Sequence, residues 1–182
     1  MKLSILICTL LKRWHPLSSL LHQINAICAD HEKKIEILIS SDDGVKSIGQ
    51  KRNELLQSSK GEYVVFIDDD DQIGDEYFDE VFKGIDAGVD LVAIAMLYQP
   101  ATGPHRMVRH SKDYTGWGEK DGVYLRTAQH VCPIKREIAI QVRYPEISFG
   151  EDREYSLQVN ELIKTEYQIE EPIYFYTPSK GK

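Results

Sequence analysis

Short apolar runs alternate with amphipathic stretches through the first half of the chain, and this order restricts the possible folds more than any other feature. Strands are predicted at Leu3–Thr9, Ile35–Ser41, Glu62–Asp68 and Leu91–Leu97. Apolar residues at helical spacing predict intervening helices at 16–27, Ser47–Ser58 and Asp75–Gly88. This succession is typical of an α/β domain with a mostly parallel central sheet, covered by helices on both faces.

The second half of the chain has a weaker pattern. Residues 98–122 contain two prolines and four glycines without a sustained period, so a long loop is expected. The remaining predictions are a short helix opened by Pro133, an extended segment at Val142–Ile147, a helix at Glu151–Lys164 and a last strand at Pro172–Tyr176.

Length and composition indicate one ordinary domain spanning residues 1–182, with a net charge of −7. That charge argues against binding nucleic acid mainly through phosphate neutralisation, which needs a basic face. Three cysteines without a C-x-x-C pair are typical of a reduced, cytoplasmic protein. The apolar run Leu3–Leu11 meets Lys12 and Arg13 directly and is interpreted as a strand rather than an export signal. No stretch approaches the roughly 20 apolar residues of a transmembrane helix.

Four consecutive aspartates, Asp68–Asp71, follow the third predicted strand. Ligands of parallel sheets bind beyond the carboxyl ends of the strands, so these carboxylates are candidates for a binding site. Partly buried carboxylates repel one another unless a cation lies between them, and aspartate oxygens suit Mg²⁺ or Mn²⁺. The alternative is an acidic turn that is simply exposed to water.

Four segments in this order carry a resemblance to a known family. They are Asp42-Asp43-Gly44, Gly49-Gln50-Lys51-Arg52-Asn53, the run from Gly61 to Asp71, and Phe149-Gly150-Glu151-Asp152. Over about residues 1 to 165 the sequence resembles the GT-A-fold family 2 glycosyltransferases. The resemblance implies a three-layer, Rossmann-like GT-A domain in which residues 1–98 bind a nucleotide sugar and residues 99–182 face the acceptor.

The resemblance also implies roles for individual residues. Asp70 would bind a divalent cation that bridges the diphosphate. Asp42 and Asp43 fit a turn or a helix cap equally well. Nucleotide-sugar contacts are implied for Thr9, Leu10, Asp42, Asp43, Arg52, Asn53, Asp68 and Asp69.

Asp152 is implied as the catalytic base that takes the proton from the acceptor hydroxyl. Glu151 would lie on the acceptor side. The dipole of a helix beginning here would stabilise the Asp152 carboxylate. The alternative is that both acids only belong to the first turn of that helix, where acidic residues are common.

Four further residues have a functional and a structural interpretation each. His130 is a candidate metal or phosphate ligand, or a structural histidine. Lys135 and Arg136 are candidates for offsetting diphosphate charge, or face water. Trp117 is a candidate platform for an acceptor sugar or base, or an anchor for the long loop.

The sequence therefore predicts a Mn²⁺- or Mg²⁺-dependent inverting glycosyltransferase that uses a nucleotide-diphosphate sugar, with UDP-sugar favoured, and by default a glycan acceptor. A second acceptor is hydroxymethylated DNA, as in small phage-type enzymes. The alternative classes are a sugar-nucleotide-binding module without catalysis and a haloacid-dehalogenase-like phosphatase. A basic rim for DNA would consist of Lys12, Arg13, His105, Arg106, Arg109, His110 and Lys112.

Overall fold

The computed structural model describes residues 1–28 and 31–178, and within them the chain forms ten strands and five α-helices. The strands are β1 (Leu3–Leu10), β2 (Ile35–Asp42), β3 (Tyr63–Phe66), β4 (Gln72–Ile73), β5 (Leu91–Tyr98), β6 (Arg106–His110), β7 (Gly118–Lys120), β8 (Val123–Arg126), β9 (Ile134–Lys135) and β10 (Glu166–Tyr176). The helices are α1 (Trp14–Ile27), α2 (Ile48–Ser58), α3 (Tyr77–Asp86), α4 (Arg136–Ala139) and α5 (Glu151–Asn160).

One sheet runs through the molecule in the order β2-β1-β3-β9-β5-β6-β8-β7, and β10 pairs with β5 and β4. Strand β1 is parallel to both β2 and β3, and β5 is parallel to β10. The predicted α/β fold with a mostly parallel central sheet is confirmed. Because β1, β2 and β3 run in the same direction, the polar residues that follow them share one edge of the sheet.

Local sequence explains why α2 begins where it does. Ser47 and Gln50 form a capping box: the Ser47 hydroxyl accepts from the Gln50 N–H, and the Gln50 side chain accepts from the Ser47 N–H. The helix packs unusually close to the segment before α5. A Cβ added to Gly49 would lie 1.8 Å from the carbonyl oxygen of Pro145, so only glycine fits at this contact.

The backbone then places α5 at the same edge of the sheet. The Gly49 N–H donates to the carbonyl of Ile147 at 3.0 Å, which ties the segment before α5 to α2. Gly150 precedes α5 with a φ of 83°, in the left-handed region that glycine adopts without strain. Helix α5 therefore starts beside α2, with Asp152 in its first turn.

The second half of the chain corrects several sequence predictions. The expected loop at 98–122 contains β6 and β7, which are too short to show a period. Residues 142–147 form no strand. Pro133 is followed first by β9 and only then by α4. Strand β10 begins at Glu166 rather than at Pro172, because its early part pairs with β5.

Among the described residues, no helix combines the length and the apolar character that crossing a membrane requires.

Candidate active site

A cavity of about 510 Å³, here called the site cavity, opens at the carboxyl end of β3. Its acidic and imidazole side chains are Asp68, Asp71, His130 and Asp152, all of which the sequence analysis considered as candidates. The rest of the wall is largely aromatic and apolar, and it consists of Met96, Tyr98, Val108, Trp117, Tyr124, Arg126, Gln129, Val131 and Tyr176.

His130 lies between the two carboxylates that carry the proposed chemistry. Its Nε2 is 3.4 Å from Oδ2 of Asp68, and its Nδ1 is 4.0 Å from Oδ2 of Asp152. The ring is 10% exposed, and neither nitrogen has a hydrogen-bond partner. The His130 carbonyl accepts from the N–H of Phe66 at 2.8 Å, which fixes the residue beside the end of β3. Imidazole nitrogens in this state are available to a ligand.

A guanidinium and an imidazole flank Asp68. Arg52 Nη2 lies 3.4 Å from its Oδ1, and His130 is on its other oxygen. Burial opposes ionisation of this carboxyl, but His130, Arg52 and Arg13 together hold the pKa of Asp68 below its usual range. Asp68 is therefore a carboxylate at neutral pH.

Arg52 is a buried cation that forms an ion pair with Asp68. Its guanidinium carbon lies 5.0 Å from the ring centre of Phe66 and 5.4 Å from that of Tyr144. Its Nε is 3.5 Å from Oε1 of Glu151, which is itself only 5% exposed. Burial disfavours the charge, but chiefly the carboxylate of Asp68 raises the pKa of Arg52 above its ordinary value.

Asn53, the neighbour of Arg52, makes hydrogen bonds to the backbone of Tyr144. Its amide donates to the carbonyl of Tyr144 and accepts from the N–H of Tyr144, both at 2.9 Å. These two bonds make Asn53 a bridge between α2 and the segment that leads to α5.

Asp69 and Asp70 are held by a residue that the resemblance did not include, Arg13. Its Nε lies 2.8 Å from Oδ2 of Asp69, and its Nη2 is 2.5 Å from Oδ1 of Asp69 and 2.8 Å from Oδ2 of Asp70. Thr9 donates its hydroxyl proton to Asp69 at 2.5 Å. Thr9 and Asp69 are both buried, so they are internal partners of each other rather than open nucleotide contacts.

Asp71 is buried against Tyr174. The Tyr174 hydroxyl donates to Oδ2 of Asp71 at 2.7 Å and accepts from the N–H of Asp68 at 3.3 Å. Burial, together with the nearby charge of Asp68, raises the pKa of Asp71. Oδ1 of Asp71 has no hydrogen-bond partner although it is buried.

Asp42 forms a turn at the end of β2, as the alternative interpretation anticipated. Its carboxylate accepts from the N–H of Gly44 at 3.0 Å and of Lys46 at 2.7 Å, and it pairs with the buried ammonium of Lys51. That ammonium is the main reason why the pKa of Asp42 lies below its usual range. Lys51 also donates to the carbonyl of Thr9 at 2.6 Å, so it links β1 to β2. Of two other candidates at this edge, Leu10 is partly buried and Asp43 is exposed.

Lys135 and Arg136 lie at the wrong end of the sheet for the role expected of them. Strand β9 is antiparallel to β3 and places Lys135 opposite Tyr63, the first residue of β3, whereas Asp68 follows its last. Lys135 pairs with Asp90 at 3.2 Å, and Arg136 donates to the Ser59 hydroxyl at 3.0 Å. The structure therefore places this pair away from the aspartate run, because β9 runs antiparallel to β3.

Glu151 also differs from its expected place. It does not line the site cavity; it is buried as the ion-pair partner of Arg52. Asp152, by contrast, lines the cavity and is 23% exposed. Its Oδ1 accepts from the Arg153 N–H at 2.8 Å, so the other oxygen, Oδ2, is the one nearest His130.

The basic rim considered for DNA is neutralised in the fold. Arg13 binds Asp69, Arg106 pairs with Glu119, Arg109 pairs with Glu170 and Lys112 pairs with Asp113. His110 is buried, where it contacts the carbonyl of Ile94 and the amide of Gln129. Only Lys12 and His105 remain as exposed residues of that group without an ion pair in the described part of the chain.

The donor chemistry at this edge fits a divalent cation in part. In the described chain, no group of three or more His, Cys, Asp or Glu is gathered closely enough to enclose a metal ion. Asp68 Oδ2 and the partnerless Nε2 of His130 nevertheless face each other at 3.4 Å. An oxygen and an imidazole nitrogen suit Mn²⁺, and such ions commonly complete their coordination with substrate phosphates and water. Asp70, the metal ligand expected from the sequence, is engaged by Arg13 instead.

Comparison with known proteins identifies the family. The model of glycosyl transferase family 2 matches residues 27–149, which is more than half of the chain. The chain belongs to glycosyl transferase family 2. The match includes the aspartate run and His130 and ends just before Asp152. No match was found among curated proteins.

Solved structures agree on the fold of this family 2 chain. The crystal structure of S. aureus TarS 1–349 in complex with UDP-GlcNAc has a TM-score of 0.71 at 17% identity, covering 100% of this chain and 60% of that one. The complex of the same protein with UDP has a TM-score of 0.69 at 18% identity, covering 98% of this chain and 61% of that one. The chain thus spans about 60% of the length of these TarS structures.

Three residues of the site were not singled out as parts of it by sequence reasoning. Arg13 was considered only for a DNA rim, although it follows the carboxyl end of β1, the position where polar ligand-edge residues are expected. Tyr174 and Arg126 lie on β10 and β8 and offered no such signal. Their roles depend on strand pairings between distant parts of the chain.

Proposed function

We propose that this family 2 chain transfers a sugar from a nucleotide-diphosphate sugar to an acceptor hydroxyl with inversion at the anomeric carbon. The observation that carries this proposal is that Asp68 and Asp152 line one cavity, with His130 between them. A UDP-sugar is the donor we favour, since the similar TarS fold was solved with UDP-GlcNAc and with UDP. In this proposal residues 1–98 supply the donor side and residues 99–182 the acceptor side.

Asp152 acts as the general base in the proposed mechanism. Oδ2 of Asp152 takes the proton of the acceptor hydroxyl while that oxygen attacks the anomeric carbon. The bond from this carbon to the diphosphate oxygen breaks on the opposite face, and the diphosphate leaves with the electron pair. The Arg153 N–H holds Oδ1, which orients the carboxylate without consuming Oδ2.

Asp68 and His130 are the residues that would hold a divalent cation, together with substrate phosphate oxygens. When bound, a divalent cation supplies neutralising charge for the departing diphosphate. The ion pair with Arg52 favours the ionised form of Asp68 and fixes the position of its carboxylate. Family membership decides against the phosphatase alternative, and the neutralised basic rim gives no support to DNA as acceptor.

The test is a screen of donor hydrolysis across sugar nucleotides, with and without Mn²⁺, followed by acceptor trials with the best donor. Asp152→Asn should lower the transfer rate about 10²- to 10⁴-fold, the usual contribution of a general base, while UDP still binds. Glu154→Gln is the matched control, because Glu154 is an exposed acid in the same first turn of α5. Unchanged turnover in Asp152→Asn would refute the assignment of the base.

A further inference from the structure

Two arginines beside the site cavity have no carboxylate partner. Arg13, Arg52, Arg106, Arg109 and Arg143 each lie within 4.0 Å of an Asp or Glu. Within the described part of the chain, Arg126, Arg136 and Arg153 have no such partner. Arg136 donates to Ser59 and lies at the other end of the sheet, whereas Arg126 and Arg153 both lie near Trp117.

Arg126 lies against two aromatic rings in the wall of the cavity. Its guanidinium carbon lies 4.7 Å from the ring centre of Trp117 and 5.1 Å from that of Tyr124. Its hydrogen bonds, to the carbonyls of Gly118 and Leu125, both use Nη1. The described residues provide no hydrogen bond to Nη2 or Nε, so these donors are free for a ligand that enters the cavity.

Arg153 adds a second cation to the same place. Its guanidinium carbon is 5.9 Å from the ring centre of Trp117, and the residue is exposed. It directly follows Asp152 in the chain, so both side chains start from the same turn of α5. The indole of Trp117 is therefore covered in part by guanidinium groups, and an approaching ligand meets positive charge rather than a bare aromatic face.

This arrangement has a consequence for the acceptor. A neutral sugar would gain less from two unpaired guanidinium groups than an anionic group, which would form salt-bridged, charge-assisted hydrogen bonds with them. The chain carries a net charge of −7, and Asp68 and Asp152 add negative charge within the cavity, so an anion needs local cations in order to approach. Arg126 and Arg153 supply them on the side where the acceptor hydroxyl must reach Asp152.

We propose that Arg126 and Arg153 form an acceptor subsite for a sugar that carries a phosphate or carboxylate group, an inference that rests on the proposed function. The anion binds the free guanidinium donors, and a neighbouring hydroxyl of the same acceptor faces Asp152. Trp117 is a positioning residue that holds Arg126 by stacking.

Direct binding tests this subsite without turnover. Wild-type protein is titrated with glucose 6-phosphate, glucuronate and methyl glucoside in the presence of UDP. At least one anionic sugar should bind about tenfold more tightly than the neutral one, since one charge-assisted hydrogen bond contributes about that factor. A preference for glucose 6-phosphate indicates a phosphorylated acceptor, and a preference for glucuronate indicates a carboxylated one. Equal affinity for all three sugars would overturn the inference.

Variants test whether the preference for anionic sugars depends on Arg126 and Arg153. The double variant R126Q/R153Q should lose the preference, and Arg153→Gln alone, at an exposed position that leaves the wall of the cavity unchanged, should lose part of it. Arg143→Gln is the matched control, because Arg143 is 72% exposed and pairs with Glu146 outside the cavity. Retention of the full preference in both Arg153→Gln and the double variant would also overturn the inference.

Transfer assays then separate this inference from the function on which it rests. With an active donor, the ratio of kcat/KM for anionic over neutral acceptors should fall about tenfold in R126Q/R153Q and stay constant in Arg143→Gln. If no sugar nucleotide is hydrolysed or transferred, the proposed function fails, while the binding comparison still decides the subsite.

Discussion

Arg13 and Asp69 form a two-point ion pair, with Nε 2.8 Å from Oδ2 and Nη2 2.5 Å from Oδ1. The pair joins the residues after β1 to the residues after β3. Asp69 is 5% exposed, and its other partner is the Thr9 hydroxyl. The same guanidinium also binds Asp70, so one arginine contacts two of the four consecutive carboxylates.

Replacing Arg13 by Met should lower the free energy of unfolding by about 3 kcal/mol, because it leaves the buried Asp69 carboxylate without its cation. Urea denaturation at pH 7 measures the change. Arg143→Met, at an exposed position, should change stability by less than about 0.5 kcal/mol. If the urea midpoint of Arg13→Met equals that of the wild type, the ion pair between Arg13 and Asp69 contributes nothing to stability.

Arg52 and Glu151 should be energetically coupled. Arg52→Met leaves Glu151 buried without its cation, and we expect a loss of about 3 kcal/mol. Adding Glu151→Gln should recover part of that loss, because an amide needs no counter-ion. A double-mutant cycle measured by denaturation gives the coupling energy, expected at about 1–3 kcal/mol. Strictly additive effects would contradict a direct interaction.

Gly49→Ala should be among the most damaging single-methyl additions in this chain. The new Cβ would lie 1.8 Å from the Pro145 carbonyl, so α2 or the segment before α5 must move. We expect a loss of at least about 2 kcal/mol and reduced transfer activity, since Asp152 follows that segment. Gly118→Ala is the control, because nothing lies within 4 Å of its added Cβ. Thermal unfolding of both variants checks the expectation.

Asp90 should make stability depend on acid pH. Its carboxylate accepts from the N–H groups of Lys164 and Thr165 at 3.0 and 3.1 Å and lies 3.2 Å from the Lys135 ammonium. Burial opposes ionisation, but these three groups hold the pKa of Asp90 below its usual range. Because the folded pKa is lower than the unfolded value of about 4, the contribution is present above pH 4 and is lost as pH falls through the folded pKa.

The variant Asp90→Asn should therefore be less stable than the wild type at pH 7, and the difference should shrink at pH 3. Unfolding free energies at the two pH values measure this directly. Glu161→Gln replaces an exposed acid by an amide. Its difference in unfolding free energy from the wild type should not shrink comparably between pH 7 and pH 3. A constant difference between Asp90→Asn and wild type would contradict the assigned pKa direction.

Local patterns were sufficient for most of the first half of the fold, with the two-residue strand β4 as an exception. The predicted strand at Leu3–Thr9 is observed as Leu3–Leu10, and the helix predicted at Ser47–Ser58 is observed as Ile48–Ser58 with Ser47 as its cap. Periodicity and capping depend on residues that are close in sequence, and these are visible without a structure. In the second half, β9 has two residues and β6 has five, too few for any period to appear.

The sequence by itself determined that acidic residues would gather at one sheet edge, because the direction of parallel strands follows from the βα order. It also placed Asp68, His130 and Asp152 among the candidates. Only the tertiary structure decided which candidates share the cavity. Lys135 lies at the far end of β3, and Glu151 is buried under Arg52. Antiparallel pairing and the direction of a buried side chain depend on contacts between distant residues, which no local pattern encodes.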